Sequence, residues 1–402
     1  MTVHGFSLGR LARLGAHLDA YVQDGRFPGY ACLVSRGGVP VWFRAHGQRD
    51  VARHLPVTRD TLFRIYSMTK PITSVALMML YEQGHFQLDD PVSAYIPEWR
   101  DLRVFAGGDA ASFSVCAPDR PMQIKDLFTH TSGLTYGFLH AHPVDALYRA
   151  RGIGGMANGG TLTDMIRNLA ELPLQFSPGA RWNYSVATDV LGYLVQRFSE
   201  RDLDDYVRTF ITGPLGMTDS GFAVPASSAS RLAACYERMP GTRTFRLQDD
   251  PETSPYRARP SFLSGGGGMV GTIDDYQRFA TMLLNGGELD GVRLLGRKTV
   301  AYMTTNQLPG GVDLAAMGQP TFSETSFDGI GFGLGFSVVQ DPAAAHVLDS
   351  PGEFAWGGAA STYFFVDPVE SLTVVFMTQL LPSSAYPVRR ALKTLVYQAL
   401  VD

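Results

Sequence analysis

Residues 63–80 read FRIYSMTKPITSVALMML, and this stretch decides the rest. Ser67 and Lys70 stand three apart, so on a helix they share one face and Ser67 Oγ can meet Lys70 Nζ. Pro71 is tolerated only in a first helical turn, where N–H groups lack internal partners, so the helix is expected to begin near Ser67. A serine there faces free N–H groups and the positive end of the helix dipole, which favour negative charge on an attacking alkoxide or its product. The run Val75-Ala76-Leu77-Met78-Met79-Leu80 is apolar nearly all round, as a buried central helix requires. At the mouth of such a helix Lys70 stands beside Ser67, where a lysine amine can serve as a base. The plain alternative is an N-cap serine with an ordinary exposed lysine one turn on. Lysine is scarce, however: Lys70, Lys125, Lys298 and Lys393 are the only four, against 26 Ser, so random placement supplies about a quarter of such a match.

Composition bounds what surrounds this motif. The chain has 402 residues, with 34 Lys+Arg against 38 Asp+Glu, a net charge of −4, 45% hydrophobic residues and 18% charged ones. Disorder needs the opposite balance, and phosphate binding needs clustered cations, so a disordered chain and a nucleic-acid partner are excluded. The length suits two or three domains, or one large domain carrying an insertion. No apolar run approaches the roughly 18–20 residues that cross a bilayer. The opening MTVHGFSLGRLARLGAHLDAYV lacks the apolar segment of a secretory signal, so a cytoplasmic protein without a membrane partner is expected. Within it Leu8, Leu11, Leu14, Leu18 and Tyr21 recur at steps of three and four, an amphipathic helix with one buried stripe. Cys32, Cys116 and Cys235 are too few and too scattered for a disulfide framework or a zinc site, and read as buried free thiols in a reducing compartment.

Strand patterns occupy both ends of the chain. Tyr30–Ser35 and Val39–Arg44 flank Arg36-Gly37-Gly38, a hairpin signature. Gly333–Gln340, Ser361–Val366 and Leu372–Met377 read as further strands, and Ala385–Leu400 as a closing helix. Between them, helical patterns such as Thr163–Leu172 and Ser185–Phe198 alternate with Gly/Pro-rich loops. The expectation is one antiparallel sheet built from both termini, packed with helices and interrupted by a helical insertion. The glycine-rich segments 151–160 and 265–268 read as mobile or close-approach backbone near a cleft.

Five segments in order carry a family resemblance. They are the Phe63–Lys70 motif, the turn Leu88-Asp89-Asp90-Pro91-Val92, DLFTHTSGL at 126–134, FSPGARWNYSVATDVLG at 176–192 and SGGGGMVGTIDDYQRF at 264–279. Together they resemble the class C β-lactamase and penicillin-binding-protein superfamily, and within it the family VIII carboxylesterases. The resemblance implies an α/β (α+β) fold of the β-lactamase/transpeptidase type, an antiparallel sheet flanked by helices with a mainly helical insertion. It implies a sheet domain of residues 1–84 plus 256–402, a helical domain of 85–255, and an active site in the cleft between them.

The same resemblance assigns roles. Ser67 becomes the nucleophile and Lys70 with Tyr184 the general base and acid. Tyr184 begins Tyr184-Ser185-Val186, where the β-lactamase branch carries Tyr-x-Asn, so the asparagine amide is missing and β-lactam handling is in doubt. Lys-Thr-Gly is absent throughout; Lys298-Thr299-Val300 and Lys393-Thr394-Leu395 fail at the third place. Trp356-Gly357-Gly358-Ala359 stands where that motif is expected and resembles the Trp-Gly-Gly of the esterases. Trp356 offers an apolar wall to an ester, and Gly357 and Gly358 allow close backbone approach. The N–H groups of Ser67 and Ala359 would form the oxyanion hole.

Tyr136, in the loop that also holds Phe138 and Tyr148, is a candidate wall of the acyl pocket, though that loop reads equally as a solvated lid. Asp189 is a candidate for orienting polar groups, or a surface carboxylate. His130 is read as ordering its loop, and the spacing of His130, His140 and His142 does not suit a metal. No Gly-x-Ser-x-Gly elbow is present. The expected activity is hydrolysis of small uncharged short-chain esters without a cofactor. A β-lactamase or D-alanyl-peptidase, weak β-lactam binding, acyl transfer to another alcohol, and a non-catalytic ligand-binding module remain as rivals.

Overall fold

The computed structural model describes residues 2–155, 159–318 and 327–402. Of the glycine-rich segment 151–160, residues 156–158 lie outside the described residues. The hairpin forms as its turn demands: β1 (Gly29–Arg36) and β2 (Val39–Asp50) are joined by Gly37 at φ +57 and Gly38 at φ +78. Both values are in the left-handed region, which matches the strand twist and suits glycine. A short β3 (Leu55–Pro56) follows. The chain then leaves the sheet and returns as β4 (Ile330–Phe332), β5 (Ser337–Val339), β6 (Phe354–Gly357), β7 (Tyr363–Asp367) and β8 (Leu372–Thr378). The eight strands lie in the order β4-β5-β6-β7-β8-β1-β2-β3, each pair antiparallel. The two ends of the chain meet where β8 pairs with β1, from Leu372 opposite Arg36 to Thr378 opposite Tyr30.

Period-two alternation sorts the sheet into two buried faces. Tyr30, Cys32, Val34, Phe365, Val374 and Phe376 face one cluster. It is completed by Leu11, Leu14, Leu18 and Tyr21 of α1 (Leu8–Gln23) and by a closing C-terminal helix. Ala31, Leu33, Phe364, Val366, Val375 and Met377 face the other cluster, which is far larger. It contains α2 (Thr69–Glu82), α3 (Ala187–Ser199) and α4 (Ile273–Leu284). The closing helix is α5 (Val388–Tyr397), contributing Val388, Leu392 and Val396 to the first cluster. α2 is buried nearly all round, with Ile72, Val75, Leu77, Met78 and Leu80 at 2% exposure or less, so sheet and helices share one apolar core around it. Each such side chain contributes about 1.5–3 kcal/mol by leaving water.

Several sequence readings need correction. Leu8 opens α1 but is exposed, because the helix meets the sheet only from Leu11 onward. The single strand expected at 333–340 is two strands, 330–332 and 337–339, around a bend in which Gly335 sits at φ +98. A Cβ on Gly335 would overlap Ser74 of α2, so the bend is where the sheet edge meets that helix. The closing helix starts at Val388, not Ala385, after Pro387. Cys116 is exposed, unlike Cys32 and Cys235. Within the span 85–255, Cys235–Arg238 pairs antiparallel with Phe245–Asp249 and parallel with Leu380–Leu381, so this part of the chain already lies beside the sheet. No helix among the described residues is long and apolar enough to cross a membrane.

Candidate active site

The nucleophile loop is held from behind. Phe63–Arg64 pairs with Val270–Gly271, and the Arg64 side chain is fully buried. It donates to Asp249 at 2.6 Å, to Ala233 O at 2.5 Å and to Ser254 Oγ at 3.0 Å. Tyr66 then takes φ +43, a costly value for an aromatic residue that only a well-fixed surrounding sustains. Tyr66–Met68 forms one 3-10 turn and α2 begins at Thr69, so Ser67 precedes the α-helix by two residues. The pairing foreseen from the spacing is nevertheless present, since Lys70 Nζ donates to Ser67 Oγ at 3.3 Å.

Lys70 is 2% exposed, and its three donors have three acceptors: Ser67 Oγ, Tyr136 Oη at 3.0 Å and Gly266 O at 2.7 Å. Its Nζ also lies 4.6 Å from the centre of the Tyr184 ring. Tyr136 therefore lies behind Lys70 and is absent from the side chains lining the cavity, whereas Phe138, stacked on it at 4.7 Å, lines it. Asp189 is buried in the first turn of α3, five residues beyond Tyr184. It accepts from Ser264 Oγ at 2.6 Å and Gly266 N at 2.9 Å, and so fixes the glycine whose carbonyl holds Lys70. Burial raises the Asp189 carboxyl, opposed by the Ser264 hydrogen bond, the Lys70 charge and the Gly266 amide. The close approach read into 265–268 is real: a Cβ on Gly266 would stand 2.9 Å from Asp189 Oδ2 and 3.1 Å from Tyr136 Oη.

Tyr184 is packed in an aromatic nest, with ring centres 5.0 Å from His130, 5.2 Å from Tyr136 and 5.6 Å from Trp356. His130 is fully buried with Nδ1 3.2 Å from Ser185 Oγ; burial, and secondarily the Lys70 charge, push its imidazole well below the ordinary range. It buttresses Tyr184 as a neutral ring. His142 caps the helix at Pro143–Ala150 by accepting from Val144 N at 3.2 Å.

Trp356 and Gly357 end β6, and the chain then turns through Gly358 and Ala359. A Cβ on Gly358 would overlap Ile65 O, so only glycine lets this turn lie against the nucleophile loop. Among the described residues neither Ser67 N nor Ala359 N donates to an acceptor. Ser67, Tyr184, Trp356, Gly357, Gly358 and Ala359 line one cavity of about 570 Å³, with Phe138, Phe327, Ile330 and Val339 as further apolar wall. Lys393 also lines it, paired with Asp349 at 2.5 Å and Glu353 at 2.9 Å in a buried cluster. The anchoring role of Arg64 and the contact of Tyr136 with Lys70 carry no sequence signal of their own, whereas Gly266 lies in the tetraglycine that signalled a close approach without naming its partner.

Comparison with known proteins shows the family. The beta-lactamase family model matches residues 14–398. Protein Rv1367c of Mycobacterium tuberculosis is 38% identical over 88% of this chain and 87% of its own. Esterase EstB of Burkholderia gladioli is 33% identical over 96% of this chain and 95% of its own. The solved structure of EstCE1, described as a hydrolase with promiscuous acyltransferase activity, superposes with a TM-score of 0.77 at 28% identity, covering 97% of this chain and 99% of its own. With a family model spanning nearly its whole length and relatives above 30% identity, the chain belongs to the beta-lactamase family, alongside its β-lactamase-like serine esterases.

Proposed function

We propose that the protein is a serine carboxylesterase that hydrolyses short-chain carboxylic esters through an acyl-enzyme on Ser67. The observation that carries this reading is the placement of Ser67, paired with Lys70, in an apolar cavity walled by Tyr184 and Trp356. Within the Lys70–Tyr184 pair, Tyr184 receives the Ser67 proton as Oγ attacks the ester carbonyl. The tetrahedral oxyanion sits between Ser67 N–H and Ala359 N–H. Its collapse breaks the bond to the alkoxy oxygen, which leaves as alcohol with the proton from Tyr184. Water, giving its proton to the same pair, then cleaves the acyl-enzyme and releases the acid and free Ser67.

The likeness to EstB supports an ester, and so does the absence of the Lys-Thr-Gly lysine that would hold a β-lactam carboxylate. EstCE1 favours one further reading, in which an alcohol other than water accepts the acyl group. Ser67→Ala should abolish turnover of 4-nitrophenyl acetate and butyrate; retained turnover would overturn the proposal. Adding alcohols to the assay and following ester products separates transfer from hydrolysis, and a nitrocefin assay measures any β-lactam side activity.

A further inference from the structure

Gly357 and Arg389 fit one another. A Cβ on Gly357 would overlap the Arg389 guanidinium, so the bare glycine leaves a slot at the end of β6 that the side chain fills from α5. From that slot Arg389 Nη2 donates to Gly358 O at 3.0 Å and to Thr362 O at 3.2 Å. Its Cζ lies 5.4 Å from the centre of the Tyr363 ring. The same two carbonyls close the turn beside the nucleophile: Gly358 N donates to Thr362 O at 2.9 Å and Ser361 N to Gly358 O at 3.1 Å. Ser361, at φ +67, is tied down through Oγ to Leu380 O at 2.8 Å.

One of these carbonyls bears directly on the reaction. Gly358 C=O and Ala359 N–H are the two ends of a single planar trans peptide, so they point in opposite directions. Whatever holds the carbonyl also aims the N–H. Two donors, Arg389 and Ser361 N, hold it here. A cation on the carbonyl oxygen also polarises the peptide and makes its N–H a stronger donor. We infer that Arg389 is a positioning residue for catalysis, clamping the Gly358 carbonyl so that Ala359 N–H is set as an oxyanion donor. The inference rests on the acyl-enzyme reading of Ser67 and adds a residue with no place in the Ser67, Lys70 and Tyr184 set. Lysine cannot replace it fully, because an ammonium on an unbranched stem does not fill the slot beside Gly357 that the planar guanidinium occupies.

The test compares wild type with Arg389→Met, Arg389→Lys and Ser67→Ala, using 4-nitrophenyl butyrate and an alkylboronic acid. The boronate adduct on Ser67 puts an oxygen where the oxyanion forms, so its affinity reports the donor directly. Arg389→Met should lower kcat by about 10- to 100-fold with KM within about threefold, since losing one such donor outright costs about 100- to 1,000-fold. Boronate affinity should fall in parallel, Arg389→Lys should be intermediate, and millimolar guanidinium should partly restore Arg389→Met. Should Arg389→Met not fold, the arginine-to-lysine comparison carries the test alone. A fall in kcat without a fall in boronate affinity, or unchanged kcat in both variants, overturns the clamp while an inactive Ser67→Ala leaves the acyl-enzyme standing. An active Ser67→Ala overturns the acyl-enzyme and the clamp together.

Discussion

The hydroxyl of Tyr136 accepts a hydrogen bond from Lys70 Nζ at 3.0 Å, although 66 positions separate the two residues. Burial pushes that hydroxyl well above its ordinary range, and the nearby Tyr184 and Asp189 push it the same way, so it stays a neutral phenol. Tyr136 thus holds the lysine in place and leaves proton transfer to others. Tyr136→Phe should lower kcat for 4-nitrophenyl butyrate by about tenfold, the equivalent of about 1.4 kcal/mol for a buried donor left with one acceptor fewer. KM should stay within about twofold. A variant with raised KM and intact kcat would instead place Tyr136 in substrate binding.

Gly358 tests the approach of the two backbone loops. Its missing Cβ leaves room for Ile65 O, two residues before the nucleophile. Gly358→Ala should push the Ala359 loop away from Ser67 and cost about 100-fold or more in kcat, the scale of losing an oxyanion donor. Near-ultraviolet circular dichroism should confirm that the fold persists. Activity above half of wild type would show that the turn yields without separating the loops.

Trp356 should govern acyl chain length. Its ring lines the cavity and stands 5.6 Å from Tyr184 and 5.3 Å from Phe332. Trp356→Ala removes that wall, so KM for butyrate and hexanoate esters should rise about tenfold while kcat stays within a few fold. Burial of a small apolar group, worth about 1.5 kcal/mol, accounts for that size. An equal loss of kcat on acetate and hexanoate would assign Trp356 to the chemical step.

His130 should make stability depend on pH below neutrality. Its folded-state pKa is pushed well below the ordinary 6.5 by burial and by Lys70. As pH falls below 6.5, the unfolded chain gains a proton there that the folded chain refuses, so stability falls. The slope is about 1.4 kcal/mol per pH unit for one such group. Urea unfolding at pH 7.5, 6 and 5 should show this loss in wild type and a smaller one in His130→Asn, whose residue tolerates the positive φ of +56 at that position. Equal slopes in both proteins would mean that His130 is not the group responsible.

What could be read along the chain was local and periodic. Ser67 and Lys70 are one turn apart, so their contact follows from helical spacing even though the α-helix starts only at Thr69. Gly37-Gly38 announced its hairpin because the turn requires positive φ at both places. The β-rich runs at 30–35 and 372–377 marked strands of one sheet without saying which face each side chain would bury. The tetraglycine revealed a close approach without saying to what. Tertiary structure alone decided the partners: Gly266 O is 196 positions from Lys70 and Ala233 O is 169 from Arg64. Tyr136 moved from pocket wall to lysine partner for the same reason, and Asp189 from a possible surface carboxylate to the buried support of Gly266. Spacing of three or four residues is set by backbone geometry, which every sequence shares. Contacts across hundreds of residues are set by which apolar faces pack together, and the side chains that meet there leave no periodic trace in the chain.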